Sequence, residues 1–213
     1  MASQWERLLK NTGTWVGSFT QLDPTGEIVK NTPSMVTLKP LDAGNLMRQE
    51  ITRQPANKPP QETVLEYRSL AKSVLFFEHG AFSQGSIQWG PFSEFGAELG
   101  LIASDQRLRL VQLFDNTRQL SQLTLNREQR DGTPPSVRPA LTLAALTGTW
   151  TGKAVTLYPD LRPSDTYPTR LEITGQGDTV QQTLQFGEGV PPIDTRGTVI
   201  GNRILFETGS QSV

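Results

Sequence analysis

The chain has no cysteine and one histidine, His79. Without cysteine there is no disulfide framework, no zinc–thiolate centre and no cysteine nucleophile, and a single imidazole builds no multi-histidine site, so no metal is expected. Charge is also scarce. Asp, Glu, Lys and Arg make up 19% of the 213 residues and leave a net charge of −1. Contacting many phosphates takes a basic excess that is missing here, so no nucleic acid partner is expected. Residues 1–20 contain no apolar run of signal-peptide or membrane-span length, which predicts a soluble, cytoplasmic chain without a membrane span. Hydrophobic residues reach only 35%. The balance of Thr, Ser, Gln, Gly and Pro belongs to sheets and turns rather than helical bundles.

A repeat is present. Gly13-Thr14-Trp15-Val16-Gly17 returns as Gly148-Thr149-Trp150-Thr151-Gly152, 135 residues later, and each copy follows a short amphipathic stretch of one or two helical turns, Trp5–Leu9 and Leu141–Leu146. Between the copies Asp131-Gly132-Thr133-Pro134-Pro135-Ser136-Val137-Arg138-Pro139 has no apolar periodicity and reads as a linker. The expected organisation is a first unit at 1–130, a linker at 131–140 and a second unit at 141–213. Alternating apolar residues place nine strands in the first unit, near 14–22, 34–39, 46–53, 62–68, 73–78, 81–88, 94–103, 106–114 and 118–127. Their connections are short, with turn residues at Glu78-His79-Gly80-Ala81, Ser104-Asp105 and Asp115-Asn116-Thr117. Consecutive strands without crossover helices make an antiparallel meander, and a meander of this many strands tends to close. The fold class expected is all-β, an up-and-down barrel followed by an incomplete half-barrel with strands near 149–158, 169–174, 180–187, 196–200 and 203–208. Ile204-Leu205-Phe206 is then an exposed edge strand, open to a partner protein or to a second copy in a homodimer.

Gly-x-Trp at the start of the first strand, after a helical turn, resembles the signature of the lipocalins and the wider calycin group. Gly13 lets the chain bend tightly into the barrel floor, and Trp15 covers that end with an apolar plate. Gly148 and Trp150 hold the matching structural positions in the second unit. The resemblance implies an arginine from the last barrel strand stacked on Trp15, a role expected of Arg127 in Leu123-Thr124-Leu125-Asn126-Arg127-Glu128. A longer resemblance runs through Phe76-Phe77-Glu78-His79-Gly80-Ala81-Phe82-Ser83-Gln84-Gly85-Ser86, Phe92–Leu101, Arg107–Phe114 and Thr156-Leu157-Tyr158-Pro159-Asp160. It is to a cyanobacterial family of two-domain, lipocalin-like proteins of unknown function and covers essentially the whole chain. The family implies further sequence beyond Gly209-Ser210-Gln211 to finish the second barrel. It is distantly similar to the S-type phycobiliprotein lyases, which hold a linear tetrapyrrole, although shared fold does not transfer activity.

Charges at alternate strand positions are the candidate ligand-binding residues: Arg48 and Glu50, Glu66 and Arg68, Arg107 and Arg109. Facing inward, the arginines would bind an acidic ligand in bidentate fashion. Facing outward, as the more apolar opposite positions Leu65, Tyr67, Leu108 and Leu110 favour, they are solvated surface charges. Trp89, in Trp89-Gly90-Pro91-Phe92, is a rim residue or a turn plug. His79 lies in a hairpin turn with no second feature of a haem site, and no Gly-x-Ser-x-Gly elbow or phosphate-cradling glycine loop occurs. No catalytic residue is identified. The expected function is a binding or carrier protein holding a small hydrophobic, acidic ligand, a tetrapyrrole or a lipid, in the first barrel. A bilin lyase or chromophore chaperone and a packed interaction module are the alternatives.

Overall fold

Ser3 starts the fold as a helix N-cap. Its hydroxyl accepts from the Glu6 N–H while the Glu6 carboxylate accepts from the Ser3 N–H, a reciprocal capping box that sets α1 (Gln4–Leu8), followed by a 3-10 turn at Leu9–Asn11. This computed structural model describes residues 2–134, 142–201 and 203–206, and the chain divides into two compact units, residues 1–136 and 137–213. Residues 135–140 of the expected linker, and the region of Gly209-Ser210-Gln211, lie outside the described residues.

The first unit is one antiparallel sheet: β1 (Gly13–Leu22), β2 (Ile28–Leu41), β3 (Leu46–Arg53), β4 (Gln61–Tyr67), β5 (Val74–Phe76), β6 (Phe82–Gly85), β7 (Phe95–Ala103), β8 (Gln106–Phe114) and β9 (Leu120–Arg130). Each strand pairs with the next except β4 with β5, and β9 returns to pair with β1. The meander therefore curls round on itself and leaves one seam without strand pairing. The N-terminal segment supports that seam. The Gln4 side chain donates to the Phe76 carbonyl at 3.2 Å and accepts from the Phe76 N–H at 2.6 Å, which satisfies backbone groups on β5 that a neighbouring strand would otherwise take. Trp5 donates to the Gly44 carbonyl at 2.6 Å and Asn11 to the Gly80 carbonyl at 2.8 Å, so α1 and its 3-10 turn are tied to both sides of the gap. The hydrophobic core gathers where this segment meets the sheet, around Leu8, Trp15, Val36, Leu38, Met47 and Phe76.

The second unit repeats the opening. Thr142 caps α2 (Leu143–Leu146), and β10 (Gly148–Thr156), β11 (Asp165–Gln176), β12 (Thr179–Phe186), β13 (Ile193–Ile200) and β14 (Arg203–Phe206) form a five-stranded antiparallel sheet in sequence order. The fold is all-β, with two antiparallel sheets and every strand where the apolar alternation placed one. The main difference is length. Strand β2 begins at Ile28 rather than near 34, because β1 pairs with it through Asn31 and Pro33, residues of low strand propensity that tertiary pairing overrides.

Candidate functional site

Strand alternation decides what the first sheet encloses. On β2 the buried positions are Thr32, Ser34, Val36 and Leu38, and the residues opposite Val36 and Leu38 on β3 are Ile51 and Gln49. Between these walls and β5–β8 lies a cavity of about 310 Å³. Its apolar lining includes Val36, Leu38, Leu65, Val74, Phe76 and Phe82, and its polar lining includes Asn11, Gln49, Gln84, Glu98, Arg107 and Arg109. The edge strands β4 and β5 and the connection between them, through Ser69, Leu70 and Ala71, all contribute, so the unpaired seam borders the cavity.

The polar wall is a continuous hydrogen-bonded ladder. Gln84 donates to Glu98 at 2.6 Å and Arg109 donates to the other Glu98 oxygen at 2.9 Å. Arg109 then grips Glu128 with two further bonds of 2.9 Å, and Arg107 donates to Glu128 at 2.7 Å. The Glu128 side chain is fully buried and Arg107 is 3% exposed. Burial opposes the Glu128 charge, but Arg107 and Arg109 outweigh it and hold this carboxyl below the ordinary glutamate range. Burial pushes the Arg107 guanidinium down and Glu128 offsets only part of that, whereas for Arg109 the two carboxylates overcome burial and push it up. Arginine stays protonated in either case. At the floor, Arg107 and Arg130 both stack on Trp15, at 4.6 and 4.4 Å from the ring centroid, and Trp15 itself donates to the Asn11 carbonyl at 2.9 Å. Charge-balanced polar ladders of this kind position groups rigidly.

Residues 1–133 match the family described as domain of unknown function (DUF3598), N-terminal. The chain belongs to the DUF3598 family. Residues 137–213 match the C-terminal domain of biogenesis factor required for ATP synthase 1. A crystal structure of a DUF3598-family protein with unknown function from Nostoc punctiforme PCC 73102 is 42% identical with a TM-score of 0.85, over 99% of this chain and 77% of that one. The S-type phycobiliprotein lyase CPES from Guillardia theta is similar at 13% identity and a TM-score of 0.45, over 62% of this chain and 95% of that one. No curated protein matches the chain.

In this DUF3598 chain the six alternating charges divide. Arg107 and Arg109 line the cavity; Arg48, Glu50, Glu66 and Arg68 do not. Arg48 bridges Glu50 at 2.6 Å and Glu66 at 2.7 Å on the outer face, and Arg68 pairs with Asp42 at 2.5 Å. These four flank Gln49, Leu65 and Tyr67, whose side chains take the inner positions, so the two-residue period turns the charges to solvent. Arg127 is exposed as well. Trp15 lies opposite Arg130 on β9, and Arg127, three residues away, falls on the other face. Trp89 is away from the cavity, packed on Phe95 and Phe114 at 4.9 Å to each centroid with Arg118 over it, at the end of the sheet remote from Trp15. His79 is exposed in the turn between β5 and β6. The groups missed by sequence reading are Asn11, Glu98, Glu128 and Arg130. Among the described residues no group of acidic, histidine or cysteine side chains is arranged to hold a metal ion, and no helix is long and apolar enough to cross a membrane.

Proposed function

We propose that the first unit is a binding module for a small amphipathic molecule, held with its apolar body on Val36, Leu38, Val74 and Phe76 and its polar end at the Arg107–Arg109 wall. The observation that carries this reading is the cavity itself. A protein of marginal stability gains by filling its interior, yet here a charge-paired polar wall of Arg107, Arg109, Glu98 and Glu128 faces apolar side chains across about 310 Å³. Ligand sites run from roughly 300 to 1,000 Å³, so the present volume suits a compact ligand or a single acyl chain better than a whole linear tetrapyrrole. A tetrapyrrole needs the β4–β5 seam to open, which no strand hydrogen bond opposes. A bilin lyase reading needs a carboxylate free to move a proton; Glu98, which lines the cavity, is instead engaged by Arg109 and Gln84. Calorimetric titration with 1-decanol tests the proposal. Saturable binding that is lost in Ala71→Trp, which fills the seam from an exposed connection, is expected. Binding unaffected by that substitution would place the ligand elsewhere.

A second reading concerns the second unit, whose β10 and β14 both end the sheet. Gly148, Trp150 and Gly152 reproduce a motif that in the first unit lies under another strand, which favours recruitment of a strand from a second copy. The domain that residues 137–213 match is named for a requirement in ATP synthase biogenesis, and strand-lending edges suit assembly of that kind. Light scattering tests it: a two-copy mass that falls to one copy in Trp150→Glu is expected, and a single-copy mass for the unaltered chain contradicts it.

A further inference from the structure

We infer that the ligand group recognised at the floor of the first unit's cavity is a neutral one carrying both a hydrogen-bond donor and an acceptor, an amide or lactam, and not a carboxylate. The inference rests on the binding reading above and specifies its chemistry. Its first support is charge. Arg107 and Arg109 face Glu98 and Glu128, and every one of these ions is bonded to an opposite one. Two guanidiniums against two carboxylates leave no spare positive charge at this wall to compensate a ligand carboxylate, which would enter as an unmatched charge beside largely buried groups.

The second support is hydrogen bonding. Asn11 is 1% exposed and donates its amide N–H to the Gly80 carbonyl, which fixes the orientation of the amide group and leaves Oδ1 as an acceptor with no protein partner. Arg107 gives its Nε hydrogen to Glu128 and leaves Nη2 as a donor with no protein partner. Both residues line the cavity, and both adjoin Trp15: the Asn11 main-chain carbonyl accepts the indole N–H and the Arg107 guanidinium stacks on the ring. An unpartnered acceptor and an unpartnered donor, both buried, on two residues that line one cavity are the complement of an N–H and C=O pair. Sites with unfilled polar groups discriminate strongly, because a ligand that cannot pair with them leaves them buried and unsatisfied. A carboxylate supplies no donor for Asn11 Oδ1 and repels it.

Calorimetric titration of the whole chain with decanamide, decanoate and 1-decanol at neutral pH tests this, since the three share an apolar body. Decanamide is expected to bind at least about tenfold more tightly than decanoate. Glu98→Gln leaves the wall with one more guanidinium than carboxylates and is expected to narrow or reverse that ratio. Decanoate binding as tightly as decanamide to the unaltered chain overturns the inference while leaving the binding module standing. A ratio unchanged by Glu98→Gln overturns the charge argument. Failure of all three compounds to bind overturns the binding reading and this inference with it.

Discussion

Gly13-Thr14-Trp15-Val16-Gly17 and Gly148-Thr149-Trp150-Thr151-Gly152 carry the same three special residues at the same spacing, but their surroundings differ. Trp15 is completely buried and bears two guanidiniums; Trp150 is 50% exposed, although its indole N–H makes the same bond, to the carbonyl four residues before it, as Trp15 does. A side chain on Gly17 would strike the Arg127 carbonyl of β9 at 1.9 Å, whereas one on Gly152 meets, among the described residues, only the Thr169 hydroxyl at 3.4 Å. Gly13 similarly abuts the Arg130 guanidinium, and among the described residues nothing lies within 4 Å of the corresponding position on Gly148. The difference is β9. The local sequence writes the helical turn, the tight glycine and the tryptophan twice, and the long-range pairing of β1 with β9 converts one copy into a core. A motif therefore reports the conformation of its own strand, and its energy comes from whichever strand lies beside it.

Matched substitutions in the two copies sharpen this contrast. Trp15→Ala is expected to cost about 3–5 kcal/mol, in line with other buried aromatic truncations, and Trp150→Ala less than about 1 kcal/mol, both read from urea unfolding midpoints. Equal costs would mean that β10 is covered in solution. Gly17→Ala forces β9 away from β1 and is expected to cost roughly 1–3 kcal/mol, while Gly152→Ala is close to neutral. Next in size, Arg130→Ala removes one of the guanidiniums on Trp15 and is expected to cost about 1 kcal/mol, against no more than about 0.5 kcal/mol for the exposed Arg127→Ala.

The buried ladder adds a pH dependence that is visible in acid. Glu128 is held below its unfolded pKa, so its contribution to stability is complete above the ordinary glutamate value of about 4.3 and disappears as the pH falls through its lowered folded value. Unfolding midpoints of the unaltered chain should fall more steeply below that pH than those of Glu128→Gln, which has no proton to take up. Parallel acid profiles for the two would contradict the role given to the ladder.

Most of the fold was legible because it is written locally. Alternation marked all fourteen strands of the described residues, and Asp115 signalled the β8–β9 hairpin through an Asx turn whose carboxylate accepts from the Thr117 and Gln119 amides. The site was less legible because it depends on register. The last β8–β9 pair before the turn is Phe114 with Leu120, and counting back from it sets Arg107 opposite Arg127. The bulge between Leu113 and Phe114 shifts the register by one and sets Arg107 opposite Glu128 instead. The arginine over Trp15 is set separately, by the β1–β9 pairing that puts Trp15 opposite Arg130 and turns Arg127 to the other face. The inward turn of Arg107 and Arg109 also runs against hydrophobic patterning, since Leu108 and Leu110 share their strand and point the other way. It is made possible by Glu98 and Glu128 on the neighbouring strands, which a reading of β8 by itself does not connect to it. Strands β3 and β4 follow the ordinary rule, and their charges Arg48, Glu50 and Glu66 lie outside.

The central claim, that the first unit encloses a ligand site, is tested most directly by native mass spectrometry of the purified chain beside Ala71→Trp. A noncovalent small-molecule adduct, or one formed on adding decanamide, that is present on the unaltered chain and absent from the variant is the result expected. A bare chain mass for both, with and without added decanamide, would contradict it.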